Sequence, residues 1–307
     1  MNLSKQIQEV LTYIDGIEIP TTLTSPQEQG RAFYEQFIPM AGNKEEVYLT
    51  KDQLLAIENH QIPLRIYRPN NQPVLPAIVY FHGGWFNAGS LETHDTPLRQ
   101  IANQTQAIII SVDYRLAPEH PFPAGLQDCE AAVSWVIDQA LFLGIQPNQI
   151  AIAGDSAGAA LATTITRKLR HKISAQILIY PVTDNSLSSA SWTTYKNGPI
   201  LNLNGAIEAW QWYLPHHKDH SNPDAIPLFA NDLEQLPPTF IAIADHDPLK
   251  DEAIVYAKKL QQQNNTVSIK TYEETTHGFF QMGVYFSQAD VLIRDIANFL
   301  QTSNLSK

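Results

Sequence analysis

The stretch QIAIAGDSAGAALATTI, residues 149–165, sets Ser156 between two glycines at the seam of two different patterns. Ile150 and Ile152 read as a short buried strand, and the Ala and Leu spacing after Ser156 reads as a helix packed closely on something flat. Gly154 and Gly158 flank the sharp turn between them. Two readings compete. One is an ordinary tight strand-to-helix turn that contains a serine. The other is G-x-S-x-G, a nucleophile elbow, in which small neighbours let a strained turn hold Oγ clear of the sheet. A five-residue pattern with two wildcards recurs by chance, so the rest of the chain has to decide.

At 307 residues with 44% hydrophobic side chains, the chain supports a sizeable core around a single sheet. Its 20 Lys and Arg against 31 Asp and Glu give a formal net charge of −11, which argues against a nucleic-acid or anionic-membrane surface. The single cysteine, Cys129, excludes an internal disulfide, and its apolar helical setting (CEAAVSWVI) reads as a buried, inert thiol. The start, MNLSKQIQEVLTYIDG, has Gln and Glu where a secretion signal would need an unbroken apolar run. No segment approaches the ~20 apolar residues that cross a bilayer. The expectation is a cytoplasmic protein with neither nucleic acid nor membrane as partner.

From about residue 77 onward, short apolar runs alternate with helical patterns: AIVYF, AIIISV, QIAIA, AQILIY, TFIAIA and VSIKTY. That alternation predicts an α/β fold with a mostly parallel sheet covered on both faces. A helical stripe of Val133, Trp135, Val136, Ile137 and Leu141 fits the covering layer. Before residue 45 the character changes. Leu3, Ile7, Val10, Leu11 and Ile14 fall at helical spacing, and Phe33, Phe37 and Ile38 form a second apolar patch after Pro26. Interspersed Glu and Gln favour packing on the protein itself over a membrane surface. Residues 184–224 hold Trp192, Tyr195, Trp210, Trp212 and Tyr213 between two strands and read as an inserted lid.

A serine nucleophile needs a base to take its proton and an acid to orient that base. In a fold of this kind they follow the serine in the order acid, then histidine, on loops after later strands. Asp247, in IADHDPLKDE, follows the TFIAIA run, and His277, in EETTHGFF, follows VSIKTY. Both sit at strand C-terminal ends, where open parallel sheets gather their sites. Acyl transfer also needs donors for an oxygen that turns negative. YFHGGWFNAGS follows the first core strand, and Gly83 and Gly84 let the backbone approach a ligand closely.

With these residues in place, the chain resembles the hormone-sensitive-lipase-like family of α/β-hydrolase esterases, in the bacterial branch with a GDSAG elbow. The matching residues are His82-Gly83-Gly84, Asp113 to Glu119 (DYRLAPE), Phe122-Pro123-Ala124, Gly154 to Gly158, Asp247-Pro248-Leu249 and His277-Gly278-Phe279. The resemblance implies Ser156 as nucleophile, His277 as base and acid, and Asp247 as orienter. It implies an oxyanion hole of backbone N–H groups drawn from Gly83, Gly84, Trp85 and Ala157. It also implies a cap formed by residues 1–45 and 184–224 over a core of 46–183 and 225–307. One position departs from the family's pattern: Trp85 stands where a third glycine is usual, with Phe86 after it. The hole then survives if residue 85 keeps a negative φ.

Other residues are weighed against these. Asp245 shares the acid loop and is the alternative orienter of His277. Asp155 reads as a hydrogen-bonding brace beside the serine, and Tyr114, Arg115 and Glu119 as a polar knot beneath the elbow. His216, His217 and His220 in PHHKDH resemble metal ligands only by composition and read as a solvated loop. The combined expectation is a serine carboxylesterase acting on short- to medium-chain acyl esters as small-molecule substrates, with no cofactor and no metal and with homodimer formation left open. An amidase, thioesterase or deacetylase would use the same triad, because the elbow specifies acyl transfer and not the leaving group. A ligand-binding receptor of this fold would lack the catalytic histidine, and His277 is present.

Overall fold

The computed structural model of the chain describes residues 4–198 and 200–303, so Leu3 of the first apolar stripe lies outside the described residues. In chain order the elements are α1 (Lys5–Asp15), α2 (Pro26–Glu35), β1 (Leu49–Ala56), β2 (Gln61–Arg68), β3 (Leu75–Phe81), α3 (Asp95–Thr105), β4 (Ile108–Val112) and α4 (Ala124–Asp138). There follow β5 (Ile145–Asp155), α5 (Ala157–Lys168), β6 (Ala175–Ile179), α6 (Ala190–Tyr195), α7 (Leu203–Tyr213), β7 (Thr239–His246), α8 (Lys250–Gln262), β8 (Val267–Thr276) and α9 (Gln288–Thr302). The strands form one eight-stranded sheet in the order β1-β2-β4-β3-β5-β6-β7-β8. From β4 to β8 all neighbours are parallel, and β2 joins β4 antiparallel.

Successive strand residues face opposite sides, and the apolar runs are continuous because both sides are covered. On one side, Val79, Phe81, Ile150 and Ile152 pack with Cys129, Val133 and Val136 of α4, Leu161 and Ile165 of α5, and Tyr256 and Leu260 of α8. On the other, Ile78, Tyr80, Ala151, Ala153 and Ile177 pack with Leu98 and Ile101 of α3, Leu292 and Ile296 of α9, and Ile7, Val10 and Ile14 of α1. The N-terminal stripe is therefore core against the sheet. α2 starts on Ser25, whose Oγ accepts from Glu28 N–H at 3.4 Å and donates to its carboxylate at 2.6 Å, with Pro26 at the first helical position.

Two features depart from the reading of the sequence. The hairpin β1/β2 in residues 49–68 is not predicted by the alternation above, because β1 is an edge strand with Lys51 and Asp52 exposed and Leu55 its one buried residue. Leu141 does not continue the α4 stripe: the helix ends at Asp138 and Leu141 is 77% exposed in the following loop. Cys129 is fully buried, and burial pushes its thiol well above the usual range. Among the described residues no helix is long and apolar enough to cross a membrane.

Candidate active site

The chain leaves β5 at Asp155, and Ser156 makes the whole turn into α5 with φ +53° and ψ −118°. A non-glycine residue there stores strain on the order of 1–3 kcal/mol, which persists only where the surroundings over-determine it. They do so through backbone. Ser156 N–H donates to Ile179 O of β6 at 2.9 Å, and Ser156 O accepts from Ala159, Ala160 and Val182 N–H at 3.1–3.2 Å. Gly158 is obligatory, since a Cβ on it would occupy the place of the Phe81 carbonyl at the end of β3.

Asp247 and His277 lie just past β7 and β8. The register of this pair shifts between Ala244 and His246, so that His246 stands beside Thr276 and the next residues, Asp247 and His277, meet. His277 Nδ1–H donates to Asp247 Oδ2 at 2.8 Å, and Ser156 Oγ–H reaches His277 Nε2 at 3.0 Å. The other Asp247 oxygen accepts from Leu249 N–H at 2.9 Å. All three residues are buried: Ser156 is 3% exposed, Asp247 0% and His277 7%. Asp245 pairs instead with Lys250 at 2.7 Å. A proton can therefore pass from Oγ to an imidazole whose orientation is fixed by a buried carboxylate.

The loop after β3 carries the candidate oxyanion donors. Gly84, Trp85 and Phe86 all take left-handed φ, at +120°, +53° and +62°. Trp85 does not keep the negative φ expected as the condition for the hole, but that condition proves unnecessary, since its N–H stays without an acceptor among the described residues in the left-handed conformation; the turn closes by Asn87 and Ala88 N–H donating to Gly84 O at 3.0 and 2.8 Å. Among the described residues the N–H groups of Gly84, Trp85 and Ala157 meet no acceptor. Gly83 differs from expectation: its N–H donates to Asp155 Oδ1 at 2.8 Å and is unavailable to a ligand. Asp155 also accepts from Tyr80 Oη at 2.9 Å and lies 3.0 Å from His94 Nε2. Burial pushes the Asp155 carboxyl up, but His94, Tyr80 and the Gly83 N–H overcome it and hold it below the usual carboxylate range.

These groups surround a cavity of ≈ 130 Å³ lined by Ser156 and His277, the oxyanion turn, Tyr180, and Gly30, Phe33, Tyr34 and Phe37 of the N-terminal segment. Trp85 is one of its walls and packs against Trp192 and Trp210, ring centroids 6.4 and 6.1 Å away. Phe86 turns inward and stacks on Tyr213 at 3.8 Å. Tyr180 was missed by sequence reasoning. It closes the AQILIY run, and its ring lies 4.6 Å from the His277 ring. The polar knot divides: Tyr114 Oη donates to His82 O at 2.7 Å, Arg115 pairs with Asp128 at 2.8 Å, and Glu119 leaves to pair with Arg31 of α2 at 2.6 Å. His216, His217 and His220 are exposed, with His220 Nε2–H donating to Leu214 O at 2.8 Å. Among the described residues no group of three or more His, Cys, Asp or Glu is placed to hold a metal ion.

The sheet order, the elbow and the serine–histidine–aspartate chain define an α/β hydrolase, and a model of the α/β-hydrolase fold family matches residues 78–281. The chain belongs to that family, in its hormone-sensitive-lipase-like branch. It is 41% identical over 229 residues to the carboxylesterase NlhH of Mycobacterium tuberculosis, a match covering 71% of each chain. It is 34% identical over 284 residues to the ethyl acetate hydrolase of Pseudomonas putida, covering 90% of this chain and 89% of that one. Among solved structures, an esterase of Pyrobaculum calidifontis superposes with a TM-score of 0.89 at 33% identity, covering 99% of this chain and 100% of that one.

Proposed function

We propose that the chain hydrolyses short- to medium-chain carboxylic esters as a serine carboxylesterase, with Ser156, His277 and Asp247 as the triad. The observation that carries this reading is the unbroken chain of hydrogen bonds, 3.0 and 2.8 Å, at the wall of a mostly apolar cavity. Ser156 Oγ attacks the ester carbonyl while its proton moves to His277 Nε2. The carbonyl oxygen becomes negative against the N–H groups of Gly84, Trp85 and Ala157. Collapse of the intermediate breaks the bond to the alcohol oxygen, which takes the proton from His277. Water then attacks the acyl-serine, giving its proton to His277, and the acid leaves as Oγ recovers it. Asp247 accepts from Nδ1–H throughout and stabilises the imidazolium that forms transiently.

The described parts of residues 1–45 and 184–224 act in this reading as a cap, because α2 supplies one cavity wall and Trp192 and Trp210 brace Trp85. A small, mostly apolar cavity favours acyl chains of roughly two to eight carbons, each buried methylene adding ~0.8 kcal/mol until the space is filled. The test is kcat/KM on p-nitrophenyl esters of rising acyl length. Equal or higher values on a sixteen-carbon ester, with activation at an oil–water interface, would make the protein a lipase with a broad surface site.

A further inference from the structure

We infer that Arg31, on α2, is a positioning residue for the oxyanion hole, through which the N-terminal segment sets the geometry of the Gly84–Ala88 turn. The inference rests on the esterase reading above. Three successive left-handed residues, two of them bulky, do not hold this shape on local grounds. The turn has to be fastened from outside. Phe86 O accepts from Ala117 N–H at 2.9 Å. The next carbonyl, Asn87 O, accepts from Arg31 Nε–H at 2.8 Å.

The same guanidinium donates through Nη2 to Ala117 O at 3.1 Å, the very residue whose N–H holds Phe86. One planar group therefore joins both sides of the fastening. Glu119 fixes the plane: Arg31 Nη1 donates to Oε1 at 2.9 Å and Nη2 to Oε2 at 2.6 Å. The hydrogen bond from Arg31 holds the Glu119 carboxyl below its usual range. With Glu119 half exposed, this ion pair contributes little to stability by itself. Its use is to aim a rigid fork of donors, which a lysine cannot reproduce. The residues beside Arg31, namely Gly30, Phe33 and Tyr34, line the cavity, so helix, cavity wall and oxyanion turn move together.

Hydrogen bonds to a developing oxyanion act in the transition state and not in substrate binding. Arg31→Ala is therefore expected to lower kcat by about 10- to 100-fold, a part of the ~10²–10³ that follows complete loss of one donor, with KM changed less than threefold. The loss should be the same factor for acetyl and octanoyl esters, because the oxyanion is common to both. Affinity for a trifluoromethyl ketone, whose adduct carries that oxyanion, should fall in parallel. Arg31→Lys keeps the charge and the helix but not the fork, and should show most of the kcat loss; added ethylguanidinium should partly restore Arg31→Ala. If α2 merely anchors the segment, the losses will instead grow with acyl length as the wall at Phe33 and Tyr34 shifts, or Arg31→Lys will match the wild type in kcat. Either result overturns the inference. Wild-type protein without esterase activity, or a Ser156→Ala variant as active as wild type, would overturn the underlying reading and is read separately.

Discussion

The elbow at Ser156 and the turn at Gly84–Ala88 are both built on positive-φ backbone, yet they differ in how far side chains hold them. Ser156 is pinned by main-chain groups of the sheet and of its own helix, Ile179 O and the N–H groups of Ala159, Ala160 and Val182. The turn at Gly84–Ala88 has one distant main-chain fastening, Ala117 N–H on Phe86 O, and is otherwise held by side chains from sequence-distant segments: Arg31 on Asn87 O, Trp192 and Trp210 on Trp85, and Tyr213 on Phe86. Strain borne by a sheet is insensitive to the surface. Strain borne by surrounding side chains makes those side chains part of the chemistry. The proposed nucleophile is therefore fixed by the core, and the proposed oxyanion donors largely by what lies over it.

The difference can be broken at the elbow with the largest effect. Ser156→Ala or His277→Ala is expected to cut kcat by about four to six orders of magnitude, since triad members act as a unit. Activity within tenfold of wild type in either variant would remove the triad from the mechanism. At the turn the effect is smaller and selective. Glycine accepts a left-handed φ without cost, so Trp85→Gly keeps the turn but opens the wall that Trp85 forms. The ratio of kcat/KM for tert-butyl acetate over ethyl acetate should rise tenfold or more, ~1.4 kcal/mol of differential transition-state binding, with some absolute rate lost. An unchanged ratio would mean that the indole acts only as packing against Trp192 and Trp210.

The smallest effect sharpens how the inserted segment is itself held. Glu252 of α8, 4% exposed, accepts from Thr183 N–H at 2.8 Å, Asp184 N–H at 3.2 Å and Trp192 Nε1–H at 3.2 Å. Burial pushes its carboxyl from 4.5 up to about 8. The folded protein then keeps a proton that the unfolded chain has released, and stability falls as pH rises across that interval. His82, lowered from 6.5 to about 4 by burial and by His94, opposes this below pH 6.5, and Asp113, pushed by burial to about 6, adds to it there. The clean window is pH 6.5 to 8, bounded by the ordinary histidine value and by Glu252. Tm of the wild type should drop by a few degrees over it, at ~1.4 kcal/mol per pH unit or less, while Glu252→Gln starts lower and stays level. Parallel melting curves for the two proteins would show that Glu252 titrates at its ordinary value.

β3 to β7 were legible because burial on both faces favours near-continuous apolar runs, as in AIVYF and AIIISV, whereas the edge strand β8, with Ser268, Ile269 and Lys270 exposed, showed only as the shorter pattern VSIKTY. The hydrogen-bonded set Ser156, His277 and Asp247, proposed as the triad, could be drawn from the sequence because each member follows a strand run. Asp247 over Asp245 followed from the Asp-Pro-Leu match, and the geometry adds the reason: Asp245 is occupied by Lys250 at 2.7 Å. Other features carried no such signal. The β1/β2 hairpin has an exposed edge strand that buries only Leu55, so its short LLA run carries no clear burial pattern. Nothing local announces that Gly83 N–H turns inward to Asp155, or that Trp85 accepts a left-handed φ, since both depend on contacts made across the fold. Arg31 was invisible for the same reason: its carbonyl partners lie 56 and 86 residues away, beyond any periodicity.

The indole at position 85 also gives the molecule an optical character. Of five tryptophans in the chain, Trp85 lines the cavity, and Trp192 and Trp210 lie with ring centroids 6.4 and 6.1 Å from it. Rings this close exchange excitation, so light absorbed anywhere in the cluster is sampled beside Ser156. Trp85 emission therefore reports on the cavity wall, and an acyl group entering or leaving is expected to change it, which stopped-flow fluorescence without an attached dye would measure. The same aromatic wall that shapes the cavity would then serve as its own optical probe.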